Sequence, residues 1–182
     1  MEVRQRPDGL IDVLGVPIWT TGVFYGHGSP PEGDRFTEQA LETIARNMRE
    51  LEEEIDPRLY AGHPLHPILR FLARPKGRLR NFRVQGGTLV ADLIGVDPAF
   101  WERAVRDRAR LSPDMAVSYY SPRTGKRYSW VIMGLGVLGA VPPANTLLPP
   151  LGAETHYYAA RAYTGEVRWG WVTPPMAVRL AR

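Results

Sequence analysis

The chain has 182 residues, 44% of them hydrophobic and 23% charged, with a formal net charge of +4 and no cysteine. That length suits one domain able to bury about two-thirds of its unfolded surface, and the missing cysteines exclude disulfides, thiolate catalysis and cysteine-ligated zinc. No run reaches the ~18 apolar residues of a membrane span, and "MEVRQRPDGLIDV" lacks the apolar core of a signal peptide, so the expectation is a cytoplasmic chain with no membrane partner.

The predicted elements follow in chain order. "LIDVLGVPIWTTGVFYG" is β-branched and aromatic, interrupted by Gly15 and Pro17, and reads as two short strands around a turn. After a loop, "RFTEQALETIARNMRELEEEIDP" spaces Leu41, Ile44, Ala45, Met48, Leu51 and Ile55 along one helical face. Thr37 suits the N-cap, Phe36 and Leu41 a hydrophobic staple across it, and Pro57 the stop. "LRNFRVQGGTLVADLIGV" predicts a hairpin turning at Gly86-Gly87, with Phe82 and Val84 alternating on one strand and Leu89, Ala91 and Leu93 on the other. A second helix opens at "DPAF", capped by Asp97 with Pro98 first, and Trp101, Ala104, Val105 and Leu111 form its apolar side. "MAVSYY", "RYSWVIMGLGVLGAV" and "RWGWV" read as strands. Helices stand between strands without regular alternation, which predicts an α+β fold: a mostly antiparallel bent sheet or β-barrel with two main flanking helices.

Few residues carry recognisable chemistry. There is no P-loop, GxSxG elbow or dinucleotide fingerprint, and "MGLGVLG" is better explained by tight strand packing. His63 and His66, three apart in the extended "AGHPLHP", point to opposite faces and are poorly placed to share a metal. No cofactor and no metal site is expected. His63, after Gly62, suits a general base or a loop histidine bonded to backbone. Asp92, inside a predicted strand, is either a paired interior charge or solvent-facing. Only Lys76 and Lys126 among the 23 basic residues are lysines, a bias that fits a GC-rich genome, such as that of a thermophile or its virus. "RFLARPKGRLRNFR" gathers Arg70, Arg74, Lys76, Arg78, Arg80 and Arg83, the one stretch suggesting a nucleic-acid surface, although it has few interleaved aromatics.

The order of segments says more than any one of them. "DGLIDVLGVPIWTTGVFYG", "FTEQALETIARNM", "LYAGHP", "GRLRNFRVQGGTLVADL", "VDPAFWERAVRDRARLSPDMAVSYYSP" and "VLGAVPPAN" follow one another across roughly residues 8 to 150. This succession resembles the phage head-maturation (prohead) proteases and their scaffold relatives, whose serine-peptidase fold is related to herpesvirus assemblin. The resemblance implies an assemblin-like domain over 1–150; the remaining 151–182, with Trp169 and Trp171 alternating on one face, reads as a C-terminal β extension packed on the same domain. It implies a place in the host cytoplasm inside the assembling prohead, with major capsid and scaffold proteins as partners.

The resemblance also assigns roles. His63 matches the catalytic histidine, and the nucleophile position, after Met115 and three residues before Tyr119, is Ala116. Ser118, two residues on, is a weak alternative nucleophile on the same strand face, roughly 6.5–7 Å away. Gly134 stands about where a third catalytic residue is usual. The chain is therefore expected to be inactive or weakly active as written, with the Ala116 Cβ roughly 4–7 Å from the His63 ring if the family geometry holds. A purely structural scaffold or virion protein of the same fold is the alternative, and a basic nucleic-acid-binding module a more distant one. Aromatic residues Tyr157, Tyr158, Tyr163, Trp169 and Trp171 lead to the expectation of a dimer or larger homo-oligomer with part of the extension at its interface.

Overall fold

The structure is a computed structural model, and it describes residues 1–25, 29–62, 74–139, 143 and 145–152. The elements in chain order are β1 (Glu2–Gln5), β2 (Ile11–Thr20), β3 (Gly22–Phe24), β4 (Asp34–Phe36), α1 (Glu38–Ile55), β5 (Arg58–Ala61), β6 (Gly77–Gln85), β7 (Thr88–Val96), α2 (Pro98–Arg106), β8 (Arg110–Ser121) and β9 (Lys126–Leu138). Seven strands form one sheet in the order β1-β2-β7-β6-β5-β9-β8, and β3-β4 make a separate pair. All pairings are antiparallel except β5 with β9. The class is α+β. The sheet is open, with β1 and β8 at its edges, so the barrel form of the expectation is not realised.

Helix α1 forms as the sequence dictates. The Thr37 hydroxyl accepts from the Ala40 amide at 3.2 Å, satisfying one of the free donors of the first turn. Leu41, Ile44, Met48 and Leu51 are completely buried, with Ala45 between them, and each large apolar side chain contributes roughly 1.5–3 kcal/mol by leaving water. The helix packs across β6, β7 and β9 and ends where Asp56 takes a left-handed φ of 46°. Beside it, Trp19, Phe24, Phe36 and Trp130 form a chain of tilted and edge-on rings with centroids 4.7–6.0 Å apart.

Two sequence expectations are corrected. Gly15 and Pro17 do not split the first strand, because β2 runs from Ile11 to Thr20 and the break falls at Thr21. Strand β1 pairs only with Ile11–Leu14, so Pro17 lies where that side of β2 has no ladder to lose. Leu111 belongs to β8, not to the second helix, which ends at Arg106. The Arg108 backbone at φ 51° turns the chain between them. The hairpin turns at Gly86 (φ 54°) and Gly87 (φ 71°), flanked by the Gln85–Thr88 pair, which is the two-residue turn that needs positive φ at both positions.

The sheet carries bulges, and carboxylates hold them. The register of β2 on β7 shifts around Gly15, and that of β6 on β7 shifts between Arg80 and Arg83, where Asn81 sits at φ 56°. Asp92, on the central strand between them, accepts from the Gly15 amide at 2.8 Å, the Asn81 side-chain amide at 3.0 Å and Arg83 at 3.0 Å. Asp92 is thus the paired interior charge. Asp12 likewise receives the Gly95 amide at 2.9 Å. Bulges curl a sheet and raise its twist.

Candidate functional site

The positions singled out by the sequence lie on β8 and β9. Strand β5 covers β9 only from Gly134 to Val137, so the hairpin formed by Met115–Ser121 and Lys126–Ile132 projects beyond it as a two-stranded arm over α1. The backbone of β9 finds substitutes for the missing strand there: Asn47 donates its side-chain amide to the Ser129 carbonyl at 2.7 Å, and the Ile132 amide donates to the Met48 sulfur at 3.2 Å. Trp130, between these anchors, is held at φ 54° with its ring edge-on to Phe36 at 4.8 Å. A bulky residue rarely adopts that conformation.

The register on β8 is unbroken from Met115 to Ser121, the shift falling before Met115. Ala116 is half-buried opposite Val131, and Ser118 is exposed opposite Ser129. Alternation puts Ala116, Ser118 and Tyr120 on one face, with Arg127 stacked over the Tyr120 ring at 5.9 Å. The opposite face turns to α1. There Tyr119 and Ser121 donate to Glu54 at 2.9 and 2.6 Å, and Arg123 adds a third contact at 3.3 Å.

Histidine 63 and the other three histidines lie outside the described residues, as does the expected Ala116–His63 separation. What the described residues fix is where β5 ends. Ala61 is level with Val137, which is level with Leu111, and the Gly62 amide donates to the Val137 carbonyl at 2.9 Å. Ala116 lies five residues further along β8, about 17 Å of strand. The serine nearest that level is Ser112, buried and paired with Gly136, whose other neighbour is Tyr60.

Gly134 pairs with Asp114 on one side and Arg58 on the other. A Cβ there would meet the Arg58 carbonyl oxygen at 3.3 Å and the Tyr60 ring at 3.4 Å. A side chain there is tight rather than excluded: the β5 backbone and the Tyr60 ring would have to give by a few tenths of an ångström.

Two polar clusters escaped the sequence reading, because each joins side chains of elements that meet only in the fold. In the first, the Ser121 hydroxyl, followed by Tyr119 and Arg123, outweighs burial and holds the Glu54 carboxyl below its ordinary range. Burial, then Glu54, pushes the Tyr119 phenol up. Ser121 is fully buried and its oxygen accepts from the Thr124 amide at 3.1 Å. It is a hairpin clamp rather than a nucleophile. Nearby, Tyr128 donates to Glu50 at 2.6 Å, and Arg123 donates to the Glu50 carbonyl.

In the second cluster, Asp56 receives Arg80 at 2.7 Å and Arg58 at 2.8 Å, with Arg78 at 3.8 Å. Burial works against the charge, but the Arg80 and Arg58 hydrogen bonds prevail and keep the Asp56 carboxyl low. The same competition, with the Gly15 amide, Asn81 and Arg83 opposing burial, keeps Asp92 low. Part of the expected basic stretch is engaged within the fold: Arg80 and Arg83 bind carboxylates, Arg78 approaches Asp56 at 3.8 Å, and Lys76 lies over the Phe100 ring at 5.7 Å, while Arg70 lies outside the described residues.

Among the described residues no three histidine, aspartate or glutamate side chains gather as a metal site, and no helix is long and apolar enough to cross a membrane. Comparison with protein-family models, curated proteins and solved structures finds no match.

Proposed function

We infer that the chain acts in phage head assembly as a protein of the prohead-protease type, inactive or weakly active as a peptidase. The observation that carries this reading is the ordered set of six segments, whose described parts follow successive elements: "LIDVLGVPIWTTGVF" covers β2–β3, "FTE" opens α1, "LYA" lies in β5, "GRLRNFRVQGGTLVADL" is β6–β7, and "VDPAF" opens α2 with "DMAVSYY" in β8. The prohead interior, with capsid and scaffold proteins as partners, belongs to this reading. The residues of the site favour loss of catalysis. Position 116 has no hydroxyl and position 134 no side chain, and a Cβ at 134 would press on the Arg58 carbonyl and the Tyr60 ring.

A competent site would need a serine hydroxyl whose proton passes to His63 as it attacks the peptide carbonyl. Co-expression with the cognate scaffold protein tests this, comparing the parent chain, Ala116→Ser, Ser112→Ala and His63→Ala. Background cleavage by the parent and by Ala116→Ser is the expected result. Cleavage gained with Ala116→Ser and lost with His63→Ala overturns the inactive reading and assigns the nucleophile to residue 116. Cleavage by the parent that disappears in Ser112→Ala moves it to the serine level with the end of β5. A parent that neither cleaves nor co-purifies with scaffold or capsid protein removes the head-assembly reading.

A structural scaffold or virion protein of the same fold is the second reading, favoured by the same two positions. The nucleic-acid reading is the weakest, because Arg80 and Arg83 of that stretch are committed to Asp56 and Asp92.

A further inference from the structure

The two edges of the seven-stranded sheet differ in a way that bears on assembly. Edge strands offer unpaired backbone donors and acceptors to other chains, and natural proteins guard them with charge, proline or bulges. Strand β1 is guarded. Its four residues include Glu2 and Arg4, paired at 2.7 Å, and all four are exposed. Strand β8 is guarded only at its start, by Pro113 and Asp114. From Met115 to Pro122 there is no charged residue, and among the described residues no strand pairs with its outer side. This same stretch carries two of the exposed large hydrophobic side chains, Val117 at 62% and Tyr120 at 53%.

We propose that this edge pairs with its own counterpart in a second copy of the chain, β8 antiparallel to β8 across a twofold axis near Ser118. The occupant follows from side-chain size and charge. A twofold at Ser118 sets Tyr120 beside the partner's Ala116, large against small on one face. It sets Val117 beside the partner's Tyr119 on the other, a β-branched–aromatic pair of the kind that stabilises antiparallel ladders. The paired stretch itself brings no charged side chain to the axis. The charged β1 edge disfavours the β8-to-β1 contact that would extend the sheet without end, so the contact closes as a dimer. Met115–Ser121 gives about 20 Å of strand and roughly six to eight ladder hydrogen bonds. An edge-only interface of that size lies at the small end of specific contacts and fits micromolar association.

The absence of cysteine makes the test clean. Light scattering between about 1 and 100 µM, bracketing a micromolar Kd, is expected to show the mass rising from one 20.4 kDa chain towards two. Opposed residues on an antiparallel ladder have Cα atoms about 4.5–5.5 Å apart, within disulfide range. Ser118→Cys is therefore expected to form a disulfide dimer on mild oxidation, and Val3→Cys on the β1 edge is not. Ser118→Lys, which sets two ammonium groups on the axis, is expected to raise the Kd at least tenfold. A monomer at every concentration overturns the proposal, and protection of the β8 amides in such a monomer would show another segment of the chain on this edge. A dimer that Ser118→Lys leaves unchanged, or in which Ser118→Cys cross-links no faster than Val3→Cys, also overturns it, placing the interface elsewhere. Should Ser118→Lys fold poorly, the two cysteine variants decide.

Discussion

At the scale of single residues, Asp92 does the most. One carboxylate, nearly buried, serves a backbone amide on β2 and two side chains on β6, and both bulges depend on it. Removing it leaves the Gly15 amide and the Arg83 guanidinium short of an acceptor, and a buried donor without a partner costs about 1–3 kcal/mol, more when charged. Asp92→Ala is therefore expected to lower unfolding free energy by on the order of 3 kcal/mol, read from urea denaturation. A loss below about 0.5 kcal/mol, the range of ordinary surface changes, would mean that solvent replaces the carboxylate and that the bulges hold themselves. Gly134 illustrates the opposite case: a Cβ there would crowd the Arg58 carbonyl oxygen and the Tyr60 ring, so glycine suits the close approach of β9 to β5.

At the scale of elements, the β8–β9 arm is the part of the sheet least supported by other strands. Its attachment to α1 runs through side chains: Asn47 and Met48 to the β9 backbone, Glu54 to Tyr119, Ser121 and Arg123, and Glu50 to Tyr128. Local stability varies within a fold according to such contacts. Glu54→Gln keeps the shape but loses the charge that strengthens the three bonds. Faster amide exchange at residues 119–128 is expected, with α1 and the β6–β7 hairpin unchanged. Uniform acceleration across the chain would instead show that the arm does not open separately. An arm that moves as a unit also bears on the proposed dimer, since Val117 and Ser118 lie on it.

At the scale of the whole molecule, acid stability follows from the carboxylates. Glu54, Asp56 and Asp92 all have folded-state values below their ordinary ones. The folded chain thus binds fewer protons than the unfolded chain as pH falls through the normal carboxylate range of about 4. Stability is fully present above that range and is lost progressively below it, as pH passes down through the folded values. Glu52 works the other way, because burial raises its carboxyl, so it offsets part of the loss. Tm is expected to stay nearly level from pH 7 to about 5 and then to fall steeply towards pH 3. The Glu54→Gln chain should show a shallower fall, and an identical fall in both would remove Glu54 from the acid-sensitive set.

The sequence alone determined what depends on neighbours in the chain. Helix α1, its Thr37 cap and its buried face follow from 3.6-residue spacing and a side chain three residues from the amide it accepts. The Gly86-Gly87 hairpin and the Asp97-Pro98 start of α2 follow from backbone angles that glycine and proline favour. Only the tertiary structure decided what depends on partners far apart in sequence. Gly15 looked like a strand break, but Asp92, 77 residues away, turns it into a bulge. The Glu54 clamp joins groups 65 and 67 residues apart, and no local pattern marks either end. The parallel pairing of β5 with β9 sets Ala61 level with Leu111 rather than Ala116, because strand order in a sheet is chosen by the packing of the whole core. That register could not be read from alternation within one strand.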